Sequence, residues 1–429
     1  MNSSRILVLG LTLLAHEVSG QPIAPPNGQP AKPDSDGANQ ELVGRIRRGG
    51  GEPVFRGGKL VRVGFYEPKG EDHSFPFLAE LADLETLDIN NTHSAAWARH
   101  VAKLKHLTHL LSYRGSLDDE ACRHLKELQQ LRELSLDVNK IGNVGIAELS
   151  ELPNLETLRL RLMPVSREGL VAIARMPKLK LLSLVNIQIT PADVLALRDS
   201  SIEELVWWVD PDYEHRALLP YVGQLHRIKR LDLSIRTVHD HELKMIAGMK
   251  GLEQLNLTDH RLTDAGLTHL SQLTSLKNLS LGLLRAAPPE QRLGDAGLQH
   301  LRPLTNLRSL GLRHSGVTDA GLPQLAELPH LNALSLGNTS ITDAGVAHLQ
   351  KFPELNTLGL DGTDITPAAM ATLERLPHLE VLDITRTKLK DAEQLDFRRF
   401  PKLKHVVAYE FDDRKMLAPE GCRLTTFDD

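Results

Sequence analysis

The sequence is poor in the features that usually announce chemistry. Two cysteines in 429 residues cannot build a disulfide-stapled scaffold or a zinc knuckle, both of which use cysteines in sets. Aromatic residues make up only 4% of the chain. Any exposed Tyr or Trp is therefore worth following, because aromatic anchors dominate binding hot spots. The formal net charge of −5 supplies no basic face for a phosphate backbone, which argues against nucleic acid as a partner. Beyond the N-terminus no stretch is apolar over the roughly 20 residues that a membrane-spanning helix requires. Gly-x-Ser-x-Gly, His-Glu-x-x-His, Walker and dinucleotide-binding motifs are all missing, so the expectation is a protein that is not an enzyme, with no catalytic residue, metal or cofactor. At 41% hydrophobic and 24% charged residues, the chain is nonetheless of globular composition.

The N-terminus reads MNSSRILVLGLTLLAHEVSGQPIAPP. Arg5, the apolar stretch Ile6 to Ala15, and the small residues around Ser19 and Gly20 match a secretory signal peptide over 1–20, with cleavage expected after Gly20. Residues 21–39 are rich in Pro, Gly, Asp and Asn and read as a flexible linker. These features predict a secreted, periplasmic or cell-envelope protein with no membrane segment once the leader is removed.

The rest of the chain is a repeat. The pattern Leu-x-x-Leu-x-Leu begins at Leu84, Leu107, Leu131, Leu155, Leu179, Ile202, Ile228, Leu252, Leu276, Leu307, Leu331, Leu355, Leu379 and Leu403, and Leu60 makes the fifteenth start. Most steps are 24 residues; the exceptions are two of 23, one of 26 and one of 31. Leu-x-Leu alternation marks a short strand with one buried face. Thr92, Asn139, Ser315, Thr339, Thr363 or Thr387 follows, suited to bonding the turning backbone. Thr263, Thr318 and Thr342 are then placed as helix N-caps, with the next Asp at the positive end of the helix dipole. In the helix, Leu267, Leu270 and Leu273 share one face, and Gly266 is expected to let helix and strand approach closely. Pro153, Pro177, Pro329, Pro353, Pro377 and Pro401 stop each helix before the next strand.

Strand, turn, helix and return at this period predict stacked parallel strands with helices outside. The unit Leu-x-x-Leu-x-Leu-x-x-Thr-x-Ile-Thr-Asp-Ala-Gly-Leu resembles the leucine-rich repeat superfamily over 60–408. It is similar to secreted bacterial members, and to the cysteine-type repeats of F-box adaptors with Thr in place of Cys. The resemblance implies an α/β leucine-rich repeat solenoid, a horseshoe with a parallel concave sheet and convex helices in about 15 repeats. It also implies binding of a protein or cell-surface ligand on the concave face, by a monomer. Residues 40–59 are expected to form an N-terminal cap, made basic by Arg45, Arg47, Arg48, Arg56 and Lys59, and residues 409–429 a C-terminal cap. Two other classes fit less well: an intracellular F-box-like substrate adaptor, and a structural envelope component assembling through caps or sheet edges.

Candidate sites divide into chemistry and recognition. The pairs Asp264/His269, Asp295/His300 and Asp343/His348 suggest metal or catalysis, but residues five apart diverge around a helix. They read as helix starts with a His on the flank. Asp210, Asp212, Glu214 and His215 offer oxygen ligands without an EF-hand spacing, so the segment 207–216 reads as a solvated loop. The extra residues at 282–293 read as a surface insertion. Asn90, Asn256, Asn278 and Asn338 satisfy Asn-x-Ser/Thr, a triplet the repeat itself tends to generate. Cys122 and Cys422, about twelve repeats apart, are too distant to pair. On the concave face, alternate strand residues should point outward. Tyr66, Tyr113 and Trp208 stand out as anchors, and Arg159, Arg161 and Arg230 as partners for acidic groups. Glu204, Asp232 and Asn256 complete the candidate set. From Asn278 onward the outward positions are mostly Gly, Ser and Thr, expected to give a flat surface.

Overall fold

The computed structural model describes residues 37–69, 73–208, 219–233, 238–258, 261–283, 288 and 292–426. The predicted leader, the linker up to residue 36, the acidic loop beyond Trp208 and part of the 282–293 insertion lie outside the described residues. The chain divides into two compact units, 1–210 and 211–429.

In the first unit a helix, Gly37–Arg48, leads into a hairpin of β1 (Gly51–Arg56) and β2 (Lys59–Phe65), paired antiparallel. Its two-residue turn, Gly57-Gly58, has φ of 56° and 80°, the positive values that a tight hairpin demands and glycine supplies without strain. β2 then starts a parallel ladder through β3 (Thr86–Ile89), β4 (His109–Tyr113), β5 (Glu133–Asp137), β6 (Thr157–Arg161), β7 (Leu181–Val185) and β8 (Glu204–Trp208). From β4 to β8 the strands are five residues long. Regular α-helices return the chain at Asp119–Leu125, Asn143–Leu149 and Arg167–Ala174.

The second unit carries its own parallel ladder of β9 (Arg230–Asp232), β10 (Gln254–Asn256), β11 (Asn278–Ser280), β12 (Ser309–Gly311), β13 (Ala333–Ser335), β14 (Thr357–Gly359) and β15 (Val381–Asp383). Beyond it, β16 (Leu395–Asp396) pairs with β18 (Met416–Leu417), while β17 (His405–Val407) joins β15 to β19 (Arg423–Thr425). From β9 to β15 the strands are three residues long, and many returns are 3₁₀ segments such as Gly266–Gln272 and Leu322–Leu325.

Every repeat-start residue, from Leu60 to Leu403, is buried. Each fully buried Leu contributes about 2 kcal/mol of transfer free energy, so the column of equivalent leucines is the main force holding each ladder. The turn residues bond the bending chain as their chemistry allows. Thr92 Oγ1 donates to Gly115 O at 2.6 Å, Thr339 Oγ1 to Leu336 O at 2.6 Å, and Asn139 Nδ2 to Ser112 O at 3.1 Å. Ser315 differs: its buried hydroxyl has no partner among the described residues.

The Thr-Asp-Ala-Gly segment works differently from its sequence reading. The Asp does more than sit at the start of its own helix; it reaches into the following repeat. Asp319 accepts from Thr342 N at 2.9 Å and Thr342 Oγ1 at 2.6 Å. Asp240 holds Thr263, Asp295 holds Thr318, and Asp343 holds Thr366 in the same way. Across the 31-residue repeat, Asp264 still reaches Gly294 N at 2.7 Å. Thr342 also caps the helix Asp343–His348 by accepting from Ala344 N, whereas Thr263 makes no capping bond among the described residues and its hydroxyl serves the clamp. Gly266 and Gly345 are needed for the same reason: a Cβ there would overlap Asp240 Oδ1 or Asp319 Oδ1. The close approach is to the preceding repeat's carboxylate rather than to a strand.

Candidate binding face

On β4–β8, inward residues are buried and alternate residues, apart from the buried Ser183, are half-buried, which defines an open face. Strand register arranges that face in rows. Tyr113, Asp137, Arg161, Val185 and Trp208 stand side by side across five strands. Leu111, Ser135, Arg159, Ser183 and Val206 form the next row, and His109, Glu133, Thr157, Leu181 and Glu204 the third. Tyr113, Arg161 and Trp208 thus share one row, with Arg159 and Glu204 in the rows beside it.

The arginines are not free. Arg159 pairs with Glu133 on the neighbouring strand, and Arg161 Nη1 lies 3.3 Å from Asp137 Oδ2. Adjacent parallel strands bring such residues close enough to compensate each other. Tyr66 is also engaged. Its ring lies over Gly64, and its hydroxyl is 3.3 Å from Asp88 Oδ2 and 3.4 Å from Arg62 Nη2. Burial and the adjacent Asp88 raise its pKa above the ordinary phenol value. Asp88 itself is buried.

Compensation on this face is incomplete. Asp137 Oδ1, Arg161 Nε and Trp208 Nε1 are buried and have no hydrogen-bond partner among the described residues, and all three belong to the Tyr113–Trp208 row. Leaving such a group unsatisfied costs about 1–3 kcal/mol. Burial pushes the Asp137 carboxyl above its ordinary range, with Arg161 and Arg114 pulling the other way. The Arg114 guanidinium lies over the Tyr113 ring, 5.0 Å from its centroid.

Arg230, Asp232 and Asn256 belong to the second unit. Arg230 is exposed, and Asn256 is used internally: its amide donates to Asp232 Oδ2 at 3.0 Å and its carbonyl accepts from Thr258 N at 3.0 Å. The small-residue stretch is less flat than the sequence suggests, because Arg313 and Asp361 form an ion pair above Gly337, where a Cβ would strike both. Asn338 Nδ2 adds a 3.0 Å bond to Asp361 Oδ2. Asp383, mostly buried, has its pKa raised chiefly by that burial. Arg313, Asp361 and Asp383 escaped the sequence reading, although 313 and 361 lie two residues beyond outward strand positions and 383 closes β15.

Chemistry finds less support. The Asp of each Asp/His pair is committed to the next repeat, and His269, His300 and His348 are half-buried on the helix flank. Among the described residues no three His, Cys, Asp or Glu side chains converge on a metal-sized site. Both cysteines are free; burial pushes the Cys122 thiol up to about 12, far from a reactive thiolate. The tetrad 210–215 lies outside the described residues. No helix among the described residues is long and apolar enough to cross a membrane.

Parallel strands stacked one per repeat, with short helices returning the chain, define a repeat protein of the strand–turn–helix class. Residues 211–422 belong to a leucine-rich repeat region, and the same repeat recurs in sequence from Leu60 through β8. No curated protein sequence matches it. Among solved structures, an internalin from Listeria monocytogenes is 19% identical, with 71% of this chain and 78% of its own covered at a TM-score of 0.45. A leucine-rich repeat protein from Leptospira interrogans is also 19% identical, with 83% of this chain and 95% of its own covered at a TM-score of 0.41.

Proposed function

We propose that the protein is an exported, non-enzymatic scaffold that binds a protein or cell-surface ligand on the open face of its first unit. The observation carrying this reading is the row Tyr113–Asp137–Arg161–Val185–Trp208, whose two ends are aromatic and in which Asp137 Oδ1, Arg161 Nε and Trp208 Nε1 are buried without a partner among the described residues. Such atoms cost the fold, and because they are closed to solvent a ligand relieves them by shifting the Arg161 and Trp208 side chains on docking to meet its acceptor. The repeated Leu column holds these groups on a rigid support, so that association orders little chain. The leader-like N-terminus supports export. The F-box-like adaptor and the envelope component are the readings this one displaces.

Affinity capture from the exported fraction, with wild type and the Trp208→Ala/Arg161→Ala double variant, tests the site. Loss of the captured partner by a correctly folded double variant is the expected result. Unchanged capture overturns it, and recovery of an uncleaved cytosolic chain overturns export.

A further inference from the structure

At most strand ends among the described residues, the residue that closes the ladder adopts a left-handed backbone, because its N–H must reach the last carbonyl of the next strand. Val138 N donates to Arg161 O at 3.0 Å, and Leu162 N to Val185 O at 2.9 Å. Most repeats fill this place with residues that suit it or are polar: Asn91, Arg114, Asn186, His314, Asn338, Gly362. Among the described residues of this series only Val138 and Leu162, with φ of 51° and 50°, are aliphatic. A β-branched or bulky residue there is a genuine outlier. Both are also exposed, at 37% and 46%, so the fold gains no backbone comfort and only partial burial from them. Strain of this kind, left uncompensated by packing, points to function.

The two side chains sit on adjacent turns, immediately after Asp137 and Arg161 of the row described above. Arg114 occupies the same place one repeat earlier, and both Arg114 and Arg161 act electrostatically on Asp137. The apolar step is thus bordered by two guanidinium groups for one carboxylate, and Arg161 Nε still lacks an acceptor among the described residues. We infer that this edge docks an acidic segment of a partner protein. An aliphatic side chain of the segment packs on Val138 and Leu162, and an adjacent Asp or Glu faces Arg114 and Arg161. The inference rests on the first unit being the binding unit, and adds the turn edge and the partner's chemistry to it.

Random-peptide display on the full chain provides the test, with wild type, Val138→Asn/Leu162→Asn and Trp208→Ala as parallel targets. Wild type is expected to enrich an aliphatic residue beside Asp or Glu. A synthetic peptide of that motif should bind the Asn double variant at least about tenfold more weakly and lose affinity with salt. The Asn variant should melt at or above the wild-type temperature, since Asn tolerates the left-handed region. A basic or absent motif, equal binding by the Asn variant, or a lowered melting temperature overturns the inference, as does self-association of wild type that the Asn variant abolishes. Binding lost on Trp208→Ala but kept on the Asn variant leaves the open-face reading standing and removes this one; binding kept on both removes both.

Discussion

The two units share one 24-residue sequence rule and satisfy it by different means. In the first, ion pairs cross the open face, Arg62–Asp88 between β2 and β3, and Glu133–Arg159 and Asp137–Arg161 between five-residue strands, and α-helices return the chain. In the second, three-residue strands present Ser280, Gly311, Ser335 and Gly359, and repeats are tied on the helix side by the Asp–Thr clamp, in steps from Asp240 to Thr366. Backbone pairing nevertheless extends past the short strands, since Leu312 N reaches Ser335 O and His314 N reaches Gly337 O, both at 2.8 Å. Among the described residues of the first unit the clamp has two steps: Asp119 holds Gly142 and Gly145, and Asn143 holds Ser166 and Gly169. Arg167 then stands where the next acceptor would be. The lesson is that leucine spacing sets the stack, while polar residues decide where neighbouring repeats are coupled and which face is left with unmet hydrogen bonds.

The largest test of this contrast is a double-mutant cycle. Gly345→Ala should cost about 2–3 kcal/mol in urea unfolding, because its methyl group would overlap Asp319 Oδ1. Asp319→Ala should cost a similar amount by leaving Thr342 N–H without its acceptor. The pair together should cost less than the sum by about 1–2 kcal/mol. The matching cycle at Gly145 and Asp119 should couple less, since Ile141 Cγ2 at 2.7 Å and Cys122 Sγ at 2.9 Å also crowd that Cβ. Equal coupling in both units would erase the distinction.

Next in size, Val138→Asn and Leu162→Asn should each stabilise the first unit by about 1 kcal/mol through relief of left-handed strain, read by thermal unfolding. A loss would mean that these side chains pack in the fold.

A pH dependence separates the acids. Burial raises Asp383 above its ordinary value, so the folded state holds that proton more tightly than the unfolded one. Its contribution to stability therefore falls as pH rises from the ordinary carboxylate range through the raised value. Asp383→Asn keeps the acceptor for Thr385 N and should be more stable than wild type at neutral pH, with the advantage vanishing in acid. An advantage constant with pH would reject the assignment. Asp137→Asn should gain less, because Arg161 would lose its ionic partner.

The smallest effect is expected at the break in the clamp. Arg167→Asn should change stability by less than about 0.5 kcal/mol, because Thr190 N and Oγ1 already bond Asp193 Oδ2 at 2.8 and 2.7 Å and only the long Arg167–Asp193 pair is lost. A gain as large as the loss at Asp319 would show that the acceptor alone makes the clamp.

The repeat starts, their burial, the parallel order and the outward positions of β4 to β8 were legible in the sequence, because a period of two within a strand and of 24 along the chain leaves one way to bury the leucines. The Asp–Thr clamp was visible as a repeated Thr-Asp-Ala-Gly, but its direction was not. An Asp at a helix start serves its own dipole or a neighbour equally well on paper, and only the stacking distance between repeats sends it forward. The Arg159–Glu133 and Arg161–Asp137 pairs stand 26 and 24 residues apart in the chain and become neighbours only through register. Val138 and Leu162 read as ordinary aliphatic residues after a strand. Their left-handed strain exists only because the ladder demands one more hydrogen bond than the strand supplies. Sequence determined what is buried and at what interval; tertiary structure decided which charges cancel, which polar atoms stay unmet and where the backbone is strained, since those depend on contacts between repeats.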